Sequence, residues 1–312
     1  MTHSNVAAVI VTYNSERYIE ACVDAAKLAV SEVVVIDNAS CDDTTRRSVA
    51  RGARVIVNHS NRGFAGAVNQ GVNATKSPFI LLLNPDAVLI SDIHPLASEC
   101  ENGHTAAAAG QLCDAAGVPQ RGFTLRRFPT PMSLALESLA INRIWPHNSV
   151  NWHYRCFDCD LTQPGYVEQP AGAFLLFRRD AWERIGGFDE GFFPIWFEDA
   201  DFCKRLRDAG YRIAYRPECV AKHTGAHSLT TLSLGQKTDY WYRSLLRYSN
   251  KHFGLWGRIF TGFSVIAGQI PRIIAGGGQY RSRQMAAIYG RIGRLAFRSM
   301  RAGRVRLHEV LN

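Results

Sequence analysis

From residue 240 to residue 308 the sequence contains no aspartate or glutamate. Thirteen of the 36 Lys and Arg residues lie in that stretch, from Arg243 to Arg306, so the remainder holds 23 basic against 27 acidic residues. The net charge of +9 therefore describes an acidic body with a basic C-terminal region. Such a region needs an anionic partner: a membrane surface, a nucleic acid or another protein.

Other absences narrow the function. There is no G-x-G-x-x-G and no G-x-x-x-x-G-K-[ST], which removes the main support for a dehydrogenase or a P-loop NTPase. G-x-S-x-G and H-E-x-x-H are missing too, which weakens hydrolase and zincin readings. The apolar stretch from Leu255 to Ala275 is interrupted by Arg258, Gln269, Pro271 and Arg272, and a membrane span needs about 20 mostly apolar residues. The opening MTHSNVAAVIVTYN has no basic n-region and no cleavage site, so no signal peptide is expected. The eight cysteines are then expected to be thiols in a reducing cytosol. The sequons at Asn38-Ala39-Ser40 and Asn73-Ala74-Thr75 are expected to be chance matches. Cys156-Phe157-Asp158-Cys159 with nearby His153 has metal-knuckle spacing, but no second pair follows, and ordinary thiols are the simpler reading.

What is present is an ordinary globular composition, 46% hydrophobic and 20% charged over 312 residues, enough for one large domain or a domain with an appendage. Val6 to Val11 is a continuous apolar run and reads as a strand buried on both faces. A helix follows from Ser15, then strands at Glu32–Ile36 and Arg54–Val57, a helix over Phe64–Ala74 and a strand at Phe79–Leu83. This alternation predicts an α/β fold with a doubly wound, mostly parallel, Rossmann-like sheet. Residues 114 to 168 have no clear period and read as an insertion or lid. Further strands are expected at Gly172–Phe177 and Tyr211–Tyr215, and helices from Asp180, over Glu198–Ala209 and over Thr238–Phe253. Arg281 to Arg306 repeats arginine at helical intervals beside Met285, Ile288, Ile292, Leu295 and Phe297, the pattern of a basic amphipathic helix on anionic lipid.

The first, second and fourth strands all finish in polar clusters: Thr12-Tyr13-Asn14, Asp37-Asn38-Ala39-Ser40 and Asn84-Pro85-Asp86. Ligands of such sheets bind outside those ends. Asp37 can accept from a base N–H or a ribose hydroxyl. Asp86 can hold a divalent cation, since hard cations prefer carboxylate oxygen, and Asn84 can serve a ribose or the metal shell. Asn61, Gly63 and Asn69 bracket a helix start, where backbone N–H groups favour anions. Together these residues describe a nucleoside diphosphate with a metal. Glu198-Asp199-Ala200-Asp201 opens a helix directly after the aromatic run Phe192 to Phe197, and a carboxylate in that setting can act as a general base.

The ordered set of these motifs, with Asn61-Arg62-Gly63-Phe64-Ala65, Asn69-Gln70-Gly71, Gly186-Gly187-Phe188-Asp189-Glu190 and Phe197-Glu198-Asp199-Ala200-Asp201, resembles the inverting nucleotide-sugar glycosyltransferases of family 2, with the GT-A fold. The likeness covers about residues 6 to 230 and is nearest to the rhamnosyltransferase-like branch. It implies that Thr12, Tyr13, Asn14, Asp37, Asn38, Asn61, Gly63, Asn69, Asn84 and Asp86 line the donor nucleotide. It makes Asp199 the general base of a single displacement and Asp86 a ligand of Mg2+ or Mn2+. His223 falls where related enzymes place a metal-binding histidine. Asn84 stands where the family usually has the first Asp of Asp-x-Asp, which leaves one carboxylate. Trp196, Glu198 and Asp201 fall to acceptor or supporting roles.

The resemblance also implies partners: a nucleotide-sugar donor, with dTDP-L-rhamnose favoured, and a glycan or polyprenyl-diphosphate-linked acceptor in cell-envelope polysaccharide synthesis. The expected organisation is a catalytic domain over 1–235, with a nucleotide half to about 113, the lid over 114–168 and an acceptor half from about 165. A basic helical extension over 236–312 would hold a cytoplasmic enzyme peripherally on the inner face of the membrane, with no nucleic acid involved. Two alternatives remain at this point. One is a sugar-phosphate nucleotidyltransferase, which would usually carry a Gly-rich basic loop where Thr12 to Glu16 stand. The other is a nucleic-acid-binding protein using the basic tail, which lacks a base-stacking pattern of aromatics.

Overall fold

Strand β1 (His3–Thr12) buries every residue from Val6 to Thr12. Val6, Ala8 and Ile10 enter one hydrophobic cluster, Val9 and Val11 another. Alternate side chains thus reach apolar layers on both faces, and for that reason the strand reads as an unbroken apolar run. The computed structural model describes residues 3–225, 232–275 and 282–301. The chain clusters into two units: Met1–Phe128 with Arg155–Glu190 and Glu198–Thr231, and Pro129–Tyr154 with Gly191–Phe197 and Leu232–Asn312.

The first unit continues with α1 (Ile19–Ala29), β2 (Val30–Asp37), α2 (Thr44–Ala50), β3 (Arg54–Val57), α3 (Gly63–Ala74), β4 (Phe79–Leu83), β5 (Ala87–Leu89), α4 (His94–Glu101), β6 (Thr105–Cys113) and β7 (Leu125–Arg126). The second unit contributes α5 (Pro131–Ser138), α6 (Ile141–Ile144) and α7 (Ser149–Tyr154). The first resumes with β8 (Gly165–Tyr166), β9 (Gln169–Pro170), β10 (Phe174–Arg178), α8 (Arg179–Arg184), α9 (Glu198–Asp208) and β11 (Arg212–His223). The second closes with α10 (Leu234–His252), α11 (Leu255–Ala275) and α12 (Ser282–Arg301).

Among the described residues nine strands form one sheet in the order β3-β2-β1-β4-β10-β6-β11-β5, with β8 paired to β11. β3, β2, β1 and β4 are parallel, β10 runs antiparallel between β4 and β6, and β11 is parallel to β6. The sheet is a mixed α/β, mostly parallel arrangement of the expected class. One central strand has no signal in the sequence. Ala106 to Ala109 in β6 are fully buried, yet alanine is the best helix former. Small side chains are needed there because the neighbours crowd in. A Cβ on Gly110 would lie 2.2 Å from a ring carbon of Phe174 and 2.4 Å from the Cys219 carbonyl oxygen. β11 also runs eight residues past the expected Tyr215, with its pairing to β6 shifted between Arg216 and Val220. Pro217 sits in that irregular stretch, where a strand tolerates the missing N–H.

The segment 114–168, read as a lid, is divided between the two units. Its β7 pairs with β9, and its 129–154 portion forms the three helices α5 to α7. In the second unit α11 packs on α5 and α12 on both α10 and α11. Of the basic extension, Arg281, Arg304 and Arg306 lie outside the described residues. No helix among the described residues is long and apolar enough to cross a membrane.

Candidate active site

Three strand ends meet at one edge of the sheet. Thr12 pairs with Asp37 across β1 and β2, and Ile10 with Leu83 across β1 and β4, so Asn84 leaves the sheet level with Val11, one residue before Thr12. The strand order reverses between β1 and β4, the switch point at which such sheets form a binding crevice. Asp37 is buried, and its Oδ1 accepts from the Thr12 hydroxyl at 3.0 Å and from the Ser40 hydroxyl. Its Oδ2 accepts from the Ser40 amide at 3.0 Å. Three donors offset the cost of burying the charge, and Oδ2 keeps a free lone pair for a ligand donor.

Neighbouring amides tie the surrounding loops to this edge. Asn38 donates from its backbone to the Thr12 carbonyl at 2.8 Å and from Nδ2 to the Gly63 carbonyl at 3.1 Å. Its Oδ1 accepts from Asn58 Nδ2 and the Arg62 amide. The start of α3 is thereby drawn to the strand ends, where Asn61 Oδ1 accepts from the Gly63 amide at 2.8 Å. Asn14, in the left-handed region at φ 52°, joins the loops after β1 and β2: its amide donates to Ser40 Oγ and its Oδ1 accepts from the Cys41 amide, both at 2.8 Å. Tyr13 beside it is half-buried.

Asp86 and His223 come together because Ala87 of β5 pairs with His223 at the end of β11. Asp86 Oδ1 lies 3.5 Å from His223 Nε2, and Oδ2 accepts from the Gly225 amide at 2.9 Å. Gln120 Nε2 donates to the His223 carbonyl at 2.8 Å, which leaves Gln120 Oε1 facing Nδ1 at 3.0 Å. An amide oxygen only accepts, so Nδ1 carries the proton and Nε2 the lone pair. Asn84 Nδ2 approaches that lone pair at 3.3 Å. Phe123 stacks on the imidazole at 5.1 Å between centroids. Burial pushes the His223 pKa below its ordinary value, against the upward pull of Asp86, so the ring is neutral at neutral pH. A neutral imidazole nitrogen and a carboxylate oxygen at this separation fit one divalent cation. Among the described residues no group of three or more His, Cys, Asp and Glu side chains could hold a metal. The other ligands would be diphosphate oxygens and water, the usual division for hard cations at phosphate sites.

Asp199 reaches the same edge from another direction. It lies in the first turn of α9, with Oδ1 accepting from the Ala200 amide at 2.7 Å and Oδ2 from the Gly172 amide at 3.4 Å. Gly172 immediately precedes Ala173, whose carbonyl accepts from the Asn84 amide at 3.0 Å. A short chain of backbone contacts therefore links the Asp199 carboxylate to the end of β4. Glu198 and Asp201 are buried, and Arg205 Nε donates to Asp201 Oδ2 at 2.7 Å. Trp196 (φ 82°) and Phe197 (φ 69°), both in the 191–197 segment of the second unit, hold two consecutive left-handed conformations. That costs roughly 1–2 kcal/mol per residue for L-amino acids.

Asn69, read as lining the nucleotide pocket, is occupied elsewhere. Its Nδ2 donates to the Phe188 carbonyl and Glu190 Oε1, and its Oδ1 accepts from the Phe188 amide and Trp182 Nε1. It clamps the Gly186 to Glu190 turn onto α3. Sequence reasoning missed Gln120, Phe123, Gly172 and Gly225, none of which sits in a motif of its own. The one available signal was the position of Gly172 and Gly225 beside the ends of strands.

The family profile described as glycosyl transferase family 2 matches residues 7–186, more than half of the chain. A second, described as the N-terminal domain of galactosyltransferase, matches residues 155–227. The N-acetylglucosaminyl-diphospho-decaprenol L-rhamnosyltransferase of Mycobacterium tuberculosis is 26% identical over 279 residues, covering 77% of this chain and 87% of that protein. The rhamnosyltransferase WbbL of Escherichia coli is 27% identical over 213 residues, covering 65% and 75%. Among solved structures, the mannosyltransferase PcManGT of Pyrobaculum calidifontis in complex with GDP-Man and Mn2+ superposes with a TM-score of 0.54 at 14% identity, covering 97% of this chain and 87% of that one. Residues 1–349 of S. aureus TarS with UDP-GlcNAc give 0.53 at 15% identity, covering 98% and 87%. These structures share the fold. With a switch-point crevice in a mostly parallel sheet and a profile match over most of that sheet, the chain belongs to glycosyl transferase family 2 and is a glycosyltransferase of the GT-A fold.

Proposed function

We propose that the protein moves L-rhamnose from dTDP-L-rhamnose, with inversion, to a hydroxyl of a polyprenyl-diphosphate-linked glycan at the inner face of the cytoplasmic membrane. The observation that carries the reading is the Asp199 carboxylate held on the Gly172 amide, at the strand edge that also carries Asn84, Asp86 and His223. A base and a leaving-group site on one edge are what a single displacement needs. The rhamnosyl donor is supported by the two sequence relatives, both rhamnosyltransferases.

In this reading Asp37 Oδ2 accepts from the base or ribose, and Thr12, Asn14 and Asn38 hold Asp37 and the adjoining loops in place. Asn61, whose Oδ1 holds the Gly63 amide, sets the start of α3 beside the diphosphate. Asp199 takes the proton of the acceptor hydroxyl as that oxygen bonds to the anomeric carbon. The bond from that carbon to the diphosphate oxygen breaks on the opposite face. A divalent cation, Mg2+ or Mn2+, held by Asp86 Oδ1 and His223 Nε2, would supply positive charge against the leaving diphosphate. Glu198 and Asp201 share the first turn of α9 with the base, and Asp201 fixes that turn through Arg205.

Calorimetry with dTDP-rhamnose, UDP-GlcNAc, UDP-galactose and GDP-mannose, each with Mg2+, Mn2+ or chelator, tests the donor. Metal-dependent preference for dTDP-rhamnose is expected. Preference for another nucleotide sugar would discard the rhamnosyl assignment and leave the displacement intact.

A further inference from the structure

α11 is turned inside out. Trp256, Phe260, Phe263, Ala267 and Ile270 fall within an arc of about 80° on a helix of 3.6 residues per turn, and they face outward. Trp256 is 79% exposed, Phe260 43%, Phe263 60% and Ile270 54%. The covered faces carry Arg258, Thr261, Ser264 and Gln269, all buried, with Val265 as the one buried apolar side chain among the described residues of the helix. The neutral three are satisfied within the helix, Thr261 donating to the Gly257 carbonyl, Ser264 to that of Phe260 and Gln269 to that of Val265. A helix in water shows the reverse pattern. Single exposed apolar side chains need no explanation, whereas a continuous apolar row along about 21 Å of helix, aromatic over its first half, does.

We propose that this face of α11 is the membrane-inserting element, lying in the headgroup region of an anionic bilayer. The inference rests on the peripheral-membrane part of the function proposed above and names the surface that makes the contact. Charge decides the occupant. α12 packs closely on α11, since a Cβ on Gly262 would lie 2.4 Å from Met300 Cγ. The solvent side of α12 carries Arg294, Arg298 and Arg301 around the exposed Phe297, with Arg301 over its ring at 5.6 Å. Asp239, the last acidic residue before the basic stretch, is engaged by Arg243 at 2.9 Å and Arg291 at 3.0 Å. A second copy seated on this face would bring no carboxylate from either helix to meet these arginines, since α11 and α12 contain no aspartate or glutamate. Anionic lipid neutralises them while the aromatics take the acyl boundary. α11 lies on the membrane, since it is interrupted by buried polar groups and no described helix can span.

The test uses the full-length protein with vesicles of phosphatidylcholine, with and without phosphatidylglycerol. W256F, F260S/F263S and R294Q/R298Q/R301Q are compared with the wild type. Brominated acyl chains are expected to quench tryptophan emission in anionic vesicles, and W256F to remove most of that quenching. F260S/F263S should weaken vesicle binding by about tenfold per phenylalanine, and the arginine variant should remove the preference for phosphatidylglycerol. Wild-type protein that binds no vesicles would defeat both this inference and the membrane part of the function above. Binding that survives F260S/F263S but fails in the arginine variant would overturn the inference and leave that reading standing. A wild-type dimer that F260S/F263S converts to monomer would make a second copy the occupant. A lowered Tm of F260S/F263S without lipid would mean the face is packed in the fold. Each of the last two results overturns the proposal.

Discussion

The sheet unit and helix α11 dispose their polar groups in opposite ways. In the sheet, apolar side chains fill both layers, and the buried polar residues gather at the carboxyl ends of β1, β2 and β4 and near the end of β11. Thr12, Asn38 and His223 each find a partner in a distant segment, in Asp37, Gly63 and Gln120 respectively. In α11 the buried hydroxyls and amide bond to carbonyls four residues earlier on the same helix. Long-range partners fix the geometry of a site. Local partners only make burial tolerable and leave the outward face free to meet something else. A buried polar residue is therefore informative through the origin of its partner more than through its burial.

Substitutions should separate the two regions, and the sheet edge should be the intolerant one. Asp199→Asn is expected to lower turnover by about 10²–10⁴-fold, the usual worth of a general base, with donor affinity by calorimetry unchanged. Loss of donor binding as well would remove Asp199 from that role. Gly110→Ala should cost about 3 kcal/mol in a denaturation experiment, because the new methyl meets Phe174 and the Cys219 carbonyl in a close-packed sheet. A normal Tm would show that β6 is looser than its burial implies. Gln120→Ala frees the His223 ring and should weaken cation-dependent donor binding by about tenfold, as losing the orienting partner of a metal ligand does. Binding equally strong with and without chelator would break the metal reading of Asp86 and His223. Thr261→Val should change stability by no more than about 0.5 kcal/mol, since its hydroxyl only shares a carbonyl already bonded in the helix. A larger loss would mean that the polar seam of α11 has long-range partners after all.

The parts of the fold with a strong local period were readable. Arg54–Val57 and Phe79–Leu83 coincide with their expected strands, and the helix at Glu198 begins where its acidic first turn predicts. β6 was not readable, because its alanines answer to the crowding of Phe174 and Cys219, which lie far along the chain. The site divides in the same way. Asp37, Asp86 and Asp199 are carboxylates at the ends of regular elements, so residue type and position were enough to nominate them. Gln120 and Phe123 act on His223 from across the fold, in a segment without period, and no spacing connects residues 120 and 223. Asn69 stood inside a motif, yet its amide is spent on the Gly186 to Glu190 turn.

The place of β10 in the sheet has a consequence for biosynthesis. β4 pairs with β1 on one side and β10 on the other, yet β10 is made about ninety residues later. At roughly 5–20 residues per second the nascent chain carries the unpaired edge of Phe79-Ile80-Leu81-Leu82-Leu83 for about 5–20 s. An apolar edge of that kind invites the wrong strand. Pro78 and Pro85 bracket it, one on each side. Proline cannot donate to a ladder, so an intruding strand that paired with these five residues could not extend regularly past either end.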